Sequence, residues 1–156
     1  MDAFEIQPYL SVGAIPLNAS RDHILNQLSP EQIVPLPFLE PRIGPIDACE
    51  DWGIFINYDD ALTSETIEMF EPAHPILEGI DLLSMPYSDL EQWVSRQDPD
   101  MVSSDLGFTS FKFGFSAYAP FKEEDPYSPC ESVTFFRKEE DLQALVMRLT
   151  RRSASA

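Results

Sequence analysis

The centre of this chain reads WGIFINYDDALTSETIEMF, residues 52–70. Its first seven residues are rich in aromatic and β-branched side chains, which favours a strand over 52–58. A polar turn follows, and a second strand is predicted over 65–70, where Ile67 and Met69 alternate with polar residues. This stretch therefore predicts a β-hairpin with one apolar face and one polar face.

A helix is predicted before this hairpin, and the same order recurs in the second half of the chain. Asn18 or Ser20 can cap the first helix, and Ser84 is the expected cap of the second. Two further strands are predicted over 111–118 and 131–136, with a long acidic loop between them.

The two halves align with a shift of 66 residues, which places Ile67 on Val133 and Met69 on Phe135. We therefore predict an α+β fold of two tandem strand-helix-β-hairpin units, forming an antiparallel sheet with helices packed on one face. The units span about 10–72 and 76–138, and a C-terminal helix is expected over 139–149. The length of 156 residues fits a single domain, 1–156.

Charge is distributed unevenly along the chain. Between Ile43 and Ser95 there are twelve Asp and Glu residues and no Lys or Arg, and the formal net charge of the whole chain is −17. Like charges repel in the folded state and attract basic molecules. The composition thus argues against nucleic acid or an anionic membrane surface as a ligand, and favours a basic protein partner. The alternative is that the charge only maintains solubility.

Residues suited to catalysis or metal binding are sparse. His23, His74, Cys49 and Cys130 have no recognisable ligand spacing, and no nucleophile or phosphate-binding motif is present. We therefore expect a protein that is not an enzyme and has no cofactor and no metal. Two distant cysteines and an N-terminus without a basic, apolar leader favour a cytoplasmic protein.

Two acidic segments are candidate partner-binding sites. The first is the tip of the central hairpin, and the second is the loop between the last two predicted strands, where Phe121 flanks the acids. Charge would steer a basic partner, and an aromatic ring would fill a pocket on it. The alternative is a solvated loop whose aromatic ring folds back on the core. The candidate residues are Asp59, Asp60, Glu65, Glu68, Glu123, Glu124, Asp125 and Tyr127.

Four segments resemble small acidic immunity proteins of bacterial polymorphic-toxin, contact-dependent and type VI secretion systems. They are VGAIPLNASRDHILNQL (12–28), WGIFINYDD (52–60), FEPAHPILEGIDLLSMPYSDLEQW (70–93) and ESVTFFR (131–137). The resemblance implies a non-catalytic antitoxin that binds a basic toxin domain, such as a nuclease, and covers its active site.

Two other functions are compatible with the sequence. One is a cytoplasmic adaptor or chaperone that binds its partner through an apolar groove. The salt dependence of binding distinguishes this function from the antitoxin, because electrostatically steered binding weakens as ionic strength rises. The other is an enzyme with an unrecognised carboxylate site, which a strongly perturbed Asp or Glu in a deep pocket would indicate.

Overall fold

The computed structural model describes residues 3–28, 34–36 and 45–139, and its fold is α+β. This part of the chain contains two α-helices and two sheets of mostly antiparallel strands. Neither of these helices has the length and apolar character needed to cross a membrane. The C-terminal helix predicted over 139–149 lies outside the described residues, apart from Glu139. The single-domain assignment stays a prediction.

The described elements follow one another in an order that is richer in strands than predicted. In chain order they are β1 (Ala3–Gln7), β2 (Ser11–Val12), β3 (Ile15–Pro16), α1 (Arg21–Gln27), β4 (Val34–Leu36), β5 (Ile46–Cys49), β6 (Ile54–Tyr58), β7 (Ser64–Phe70), β8 (His74–Leu77), β9 (Ile80–Asp81), α2 (Tyr87–Gln97), β10 (Val102–Ser104), β11 (Gly107–Ser110), β12 (Phe115–Tyr118) and β13 (Ser132–Phe136).

The larger sheet has eight strands in the order β10-β11-β12-β13-β7-β6-β5-β4, and all neighbours are antiparallel. In the described residues, each helix is followed by four consecutive strands of this sheet, whereas a two-stranded hairpin was predicted. The pairing of β7 with β13 joins the two groups of four. It aligns Ile67 with Phe135 and Met69 with Val133.

The prediction of a single sheet is wrong for the described residues. A smaller sheet has the order β3-β2-β1-β8-β9, with β1 and β8 parallel. Pro75 lies within β8, in register with Phe4 of β1. The strands β1 and β8 are about seventy positions apart in the sequence, so no local sequence pattern indicates that they pair.

The two predicted helices that fall within the described residues are confirmed, with one correction at a cap. The hydroxyl of Ser20 accepts a hydrogen bond from the His23 N–H at 3.2 Å and so caps α1. Ser84 does not cap α2, because its hydroxyl donates to Asp81 and the helix begins after Pro86.

The segment FKFGFSAY was predicted as one strand over 111–118, but only its second half is extended. Residues 111–114 form the turn between β11 and β12, and Gly114 there has φ of 68°. The strands β10 and β11 were not predicted. Val102–Ser104 of β10 is exposed on both faces and lacks an apolar alternation.

The hydrophobic core combines residues of both sheets and both helices. Ile54, Ile56, Ile67 and Met69 of the central hairpin are fully buried, which confirms its predicted apolar face. They belong to one cluster with residues of the small sheet and with residues of α1 and α2, such as Ile24 and Leu90.

Two glycines with positive φ give a matched test of close packing. A Cβ on Gly53, which has φ of 71°, would overlap the carbonyl oxygen of Phe70. A Cβ on Gly79, in the two-residue turn between β8 and β9 with φ of 81°, would meet nothing within 4 Å. We expect Gly79→Ala to lower the free energy of unfolding by about 1 to 2 kcal/mol, and Gly53→Ala by at least about 3 kcal/mol. Urea denaturation measures both, and equal losses would contradict the packing at Gly53.

Candidate functional site

The acidic loop, residues 119–131 between β12 and β13, presents acids and aromatic rings together at the surface. Phe121 is 64% exposed and Tyr127 is 77% exposed. Glu123, Glu124 and Asp125 between them are also exposed. The structure therefore brings together the second group of predicted site residues, and the two aromatic rings do not fold back on the core.

The backbone of the acidic loop is attached to the start of α2. The first N–H groups of a helix have no partner within the helix, and Pro86 offers no side-chain cap. The N–H of Tyr87 donates to the Ser128 carbonyl at 2.9 Å, and the N–H of Ser88 donates to the Pro126 carbonyl at 3.0 Å. The loop thus caps the helix, and the helix in turn fixes the loop.

Further contacts order the loop from within. The Asp125 N–H donates to the Phe121 carbonyl at 2.8 Å, and the Ser128 hydroxyl donates to the Asp125 carboxylate at 2.6 Å. Lys122 turns toward α2, where its Nζ lies 5.7 Å from the centre of the Tyr87 ring. The side chain of Lys122 is largely buried there, so the charged groups that face solvent at the tip of the loop are the carboxylates of Glu123, Glu124 and Asp125.

At the tip of the central hairpin, Asp59 stabilises the turn. Its carboxylate accepts hydrogen bonds from the N–H groups of Ala61 and Thr63, both at 2.9 Å. The same carboxylate lies 2.7 Å from an Arg137 guanidinium nitrogen. Burial opposes ionisation, but the Thr63 N–H, Arg137 and the Ala61 N–H together lower the pKa of Asp59. Its neighbour Asp60 is exposed.

Glu65 and Glu68 do not form an exposed patch with Asp60, and this part of the prediction is wrong. Glu65 is only 2% exposed, and it lies where the pairing of β6 with β7 shifts register. Glu68 is half-buried in the middle of the large sheet, opposite Thr134. Burial raises the pKa of Glu68, and a hydrogen bond with Thr134 partly opposes the rise.

An internal ion pair uses a further acid of the long acidic stretch. Asp47 is 1% exposed, and both of its oxygens lie 2.9 Å from nitrogens of the Arg21 guanidinium. This bidentate pair ties α1 to β5, and sequence reasoning missed it because the two residues lie in separate elements. Asp47 therefore contributes to internal structure and not to a surface field.

A cleft of about 550 Å³ opens beside the end of the acidic loop. Its lining comprises Glu71, Pro72, Ala73, His74, Leu83, Ser84, Pro129, Cys130 and Glu131. Sequence reasoning missed it, because the pairing of β7 with β13 brings together residues 60 positions apart. A concave, polar site of this size is a candidate binding site.

Two residues that line the cleft, His74 and Ser84, contact the carboxylate of Asp81, which is not part of the lining. His74 Nδ1 lies 2.6 Å from Asp81, and the Ser84 hydroxyl donates to the same carboxylate oxygen at 2.7 Å. In a serine nucleophile site the hydroxyl bonds to the imidazole, so this arrangement does not activate Ser84. Burial raises the pKa of the Cys130 thiol to about 12, which opposes thiolate chemistry.

The other candidates for metal or thiol chemistry, Cys49 and His23, do not line the cleft. Cys49 is a buried free thiol, and burial raises its pKa to about 11. His23 is exposed on α1 and contacts Gln27. Within 3–28, 34–36 and 45–139, no group of three or more His, Cys, Asp or Glu residues could hold a metal ion.

Asp59 gives a test of which acids are structural. We expect Asp59→Asn to lower the free energy of unfolding at pH 7 by about 1 kcal/mol, because the pair with Arg137 is lost. Since the pKa of Asp59 is lowered by folding, its contribution is present above about pH 4 and disappears as the pH falls further. Urea denaturation at pH 7 and pH 3 measures the loss. Asp60→Asn is the control, and an equal effect of both variants would contradict the assignment.

No protein-family model, curated protein or solved structure matches this chain. A function for the chain therefore has to be argued from its own residues and their arrangement.

Proposed function

We propose that this protein is a cytoplasmic, non-catalytic immunity protein that binds a basic toxin domain and covers its active site. The toxin is proposed to be a nuclease or another nucleic-acid-modifying effector, because such enzymes bind phosphate through a positive cleft. The observation that carries the proposal is the acidic loop, in which Phe121, Tyr127 and three carboxylates are exposed on a backbone attached to α2.

The physical chemistry of the loop suits fast and tight binding. Clustered carboxylates raise the association rate for a basic partner. The two aromatic rings carry large apolar areas with few rotatable bonds, which is typical of residues that dominate binding energy. The hydrogen bonds to Tyr87 and Ser88 order the loop before the partner arrives, so less conformational entropy is lost on binding.

The set of proposed contact residues differs from the set of candidates predicted from the sequence. Glu123, Glu124, Asp125 and Tyr127 are retained, and Phe121 is added because of its exposure. Asp60 stays a secondary candidate at the other acidic tip. Asp59, Glu65 and Glu68 are excluded as primary contacts, because they are internally bonded or poorly exposed.

An adaptor that uses an apolar groove is less well supported. The cleft beside the loop is lined in large part by polar groups, including Glu71, His74, Ser84 and Glu131. Among the described residues, the exposed large apolar side chains outside the acidic loop lie in three parts of the chain: Leu10 between β1 and β2, Leu62 between β6 and β7, and Val102 and Leu106 in the β10–β11 hairpin. These observations favour the electrostatic mode of binding.

The two tandem units are also part of the proposal. The shift of 66 residues that carries Ile67 to Val133 also carries Met69 to Phe135. In the sheet, Ile67 pairs with Phe135, and Met69 pairs with Val133. Each residue of the first half thus pairs with the equivalent of the other residue. This pattern is expected when the two halves are related by a two-fold axis through the pair Glu68–Thr134. Superposition of the halves tests the repeat, and backbones that do not overlay with β6 on β12 and β7 on β13 would contradict it.

The first experiment is affinity capture of the tagged chain in its native host at low and high salt. The captured protein is then produced alone and together with this chain. We expect one basic protein that arrests growth when produced alone and is harmless in the presence of this chain. A captured protein that is not toxic, or whose toxicity persists, would overturn the immunity function.

Neutralising the acidic loop tests the contact surface. We expect Glu123→Ala/Glu124→Ala/Asp125→Ala to slow association with the captured toxin about tenfold or more at low salt, and to flatten its salt dependence. The control is Glu5→Ala/Glu50→Ala/Asp51→Ala, which removes the same charge from exposed positions elsewhere. Stopped-flow kinetics measures both, and equal slowing would show that only net charge matters.

The two exposed aromatic residues of the acidic loop should slow dissociation of the complex with the toxin. We expect Phe121→Ser and Tyr127→Ser each to speed dissociation about tenfold or more, because rings of this kind contribute roughly 2 kcal/mol at binding hot spots. Stability should be unchanged, since both rings are exposed. Leu10→Ser is the control for an exposed apolar residue outside the loop. Dissociation unchanged by both aromatic variants would remove the rings from the contact surface.

A further inference from the structure

The cleft beside the acidic loop has an unusual balance of hydrogen-bonding groups. Asp81 lies just behind its lining and accepts both nearby side-chain protons. The Ser84 hydroxyl donates to Asp81 Oδ2 at 2.7 Å, and His74 Nδ1 lies 2.6 Å from the same oxygen. Because Nδ1 faces a carboxylate, it carries the proton in the neutral ring, and Nε2 is left as an acceptor. The oxygen of Ser84 likewise keeps only its lone pairs.

Several other donors around the cleft are also used inside the protein. The Cys130 thiol donates to the Leu82 carbonyl at 3.5 Å. The Ala73 N–H donates to Phe70 and the Glu131 N–H to Tyr118, both at 2.8 Å. The Leu83 N–H donates to Asp81 at 3.1 Å.

Two prolines complete this pattern. Pro72 and Pro129, which also line the cleft, have no N–H to offer. The lining is therefore rich in acceptors and poor in available donors.

Two carboxylates flank the paired ends of β7 and β13 at the edge of the cleft. Phe70 pairs with Ser132, and Glu71 and Glu131 each lie one residue beyond that pair. Both glutamates are exposed, and neither forms an ion pair within the described part of the chain. A molecule that fills this cleft must supply several donors and positive charge.

We propose that the cleft binds an arginine side chain of the same basic partner, a step that rests on the proposed function. A guanidinium group presents five N–H donors in a planar fork and no acceptor, which complements a lining of carboxylates, an imidazole nitrogen and a hydroxyl oxygen. Lysine presents three donors at one point and fits such a spread of acceptors less well. The cleft is continuous with the acidic loop, because Pro129, Cys130 and Glu131 directly follow its exposed tip.

The probe is the peptide acetyl-Gly-Arg-Gly-amide, titrated into the full chain at low salt while amide shifts are recorded by NMR. We expect saturable shifts at the amides of Ala73, Leu83 and Glu131. The same peptide with citrulline, which keeps the shape and loses the charge, should bind about tenfold or more weakly, and the lysine peptide should lie between them. Equal binding of the arginine and citrulline peptides would overturn the proposal.

A matched pair of double variants separates the cleft from the general acidic field. Glu71→Gln/Glu131→Gln and Glu50→Gln/Asp51→Asn each remove two exposed negative charges. We expect the first to weaken arginine-peptide binding about tenfold, and the second to change it less than about twofold. Similar losses in both variants would assign the binding to net charge and overturn the site.

The same variants distinguish this inference from the proposed function. The Glu123→Ala/Glu124→Ala/Asp125→Ala variant should keep the peptide-induced shifts in the cleft while it slows association with the toxin. In the complex with the toxin, Glu71→Gln/Glu131→Gln should speed dissociation. If that dissociation is unchanged while the loop variant still slows association, the arginine assignment fails and the immunity function stands.

Discussion

The antiparallel pairing of β7 with β13 is the contact on which the rest of the structure depends. It joins two groups of four consecutive strands into one sheet of eight, and it aligns the fully buried Ile67 with Phe135 at the centre of the core. The same pairing places Glu71 beside Glu131 at the edge of the cleft. Core, sheet and cleft therefore share one register, and a slip of one residue would turn every inward side chain outward.

The acidic residues of this chain serve different physical purposes although they look alike in the sequence. Asp47 and Asp59 hold parts of the fold together through Arg21 and Arg137. Glu68 is shielded within the sheet, where burial raises its pKa. The loop acids, by contrast, remain exposed and can act on a partner at a distance. The count of 27 Asp and Glu residues thus overstates the number of carboxylates available for binding.

In the proposed function, the acidic loop and the neighbouring cleft would act on a basic partner by complementary means. The loop combines charge that attracts with rings that bury apolar area, and the start of α2 keeps its backbone in place. Several donors of the cleft are bonded inside the protein, and its two glutamates are exposed, which would favour a side chain that supplies donors and positive charge. Attraction, affinity and selectivity would then arise from adjacent parts of one surface.

Several features of this protein were determined by the sequence itself. The period of two around Ile67 and the polar cap at Ser20 are local signals, so the central hairpin and α1 could be predicted. The exposure of the loop acids could also be predicted from the sequence, because a short run of charged residues beside proline cannot be buried without partners. Only the tertiary structure decided that β1 pairs with β8, that Glu65 is buried, and that a cleft forms. These features depend on contacts between residues far apart in the chain, and a local pattern contains no information about which distant strand will become the neighbour.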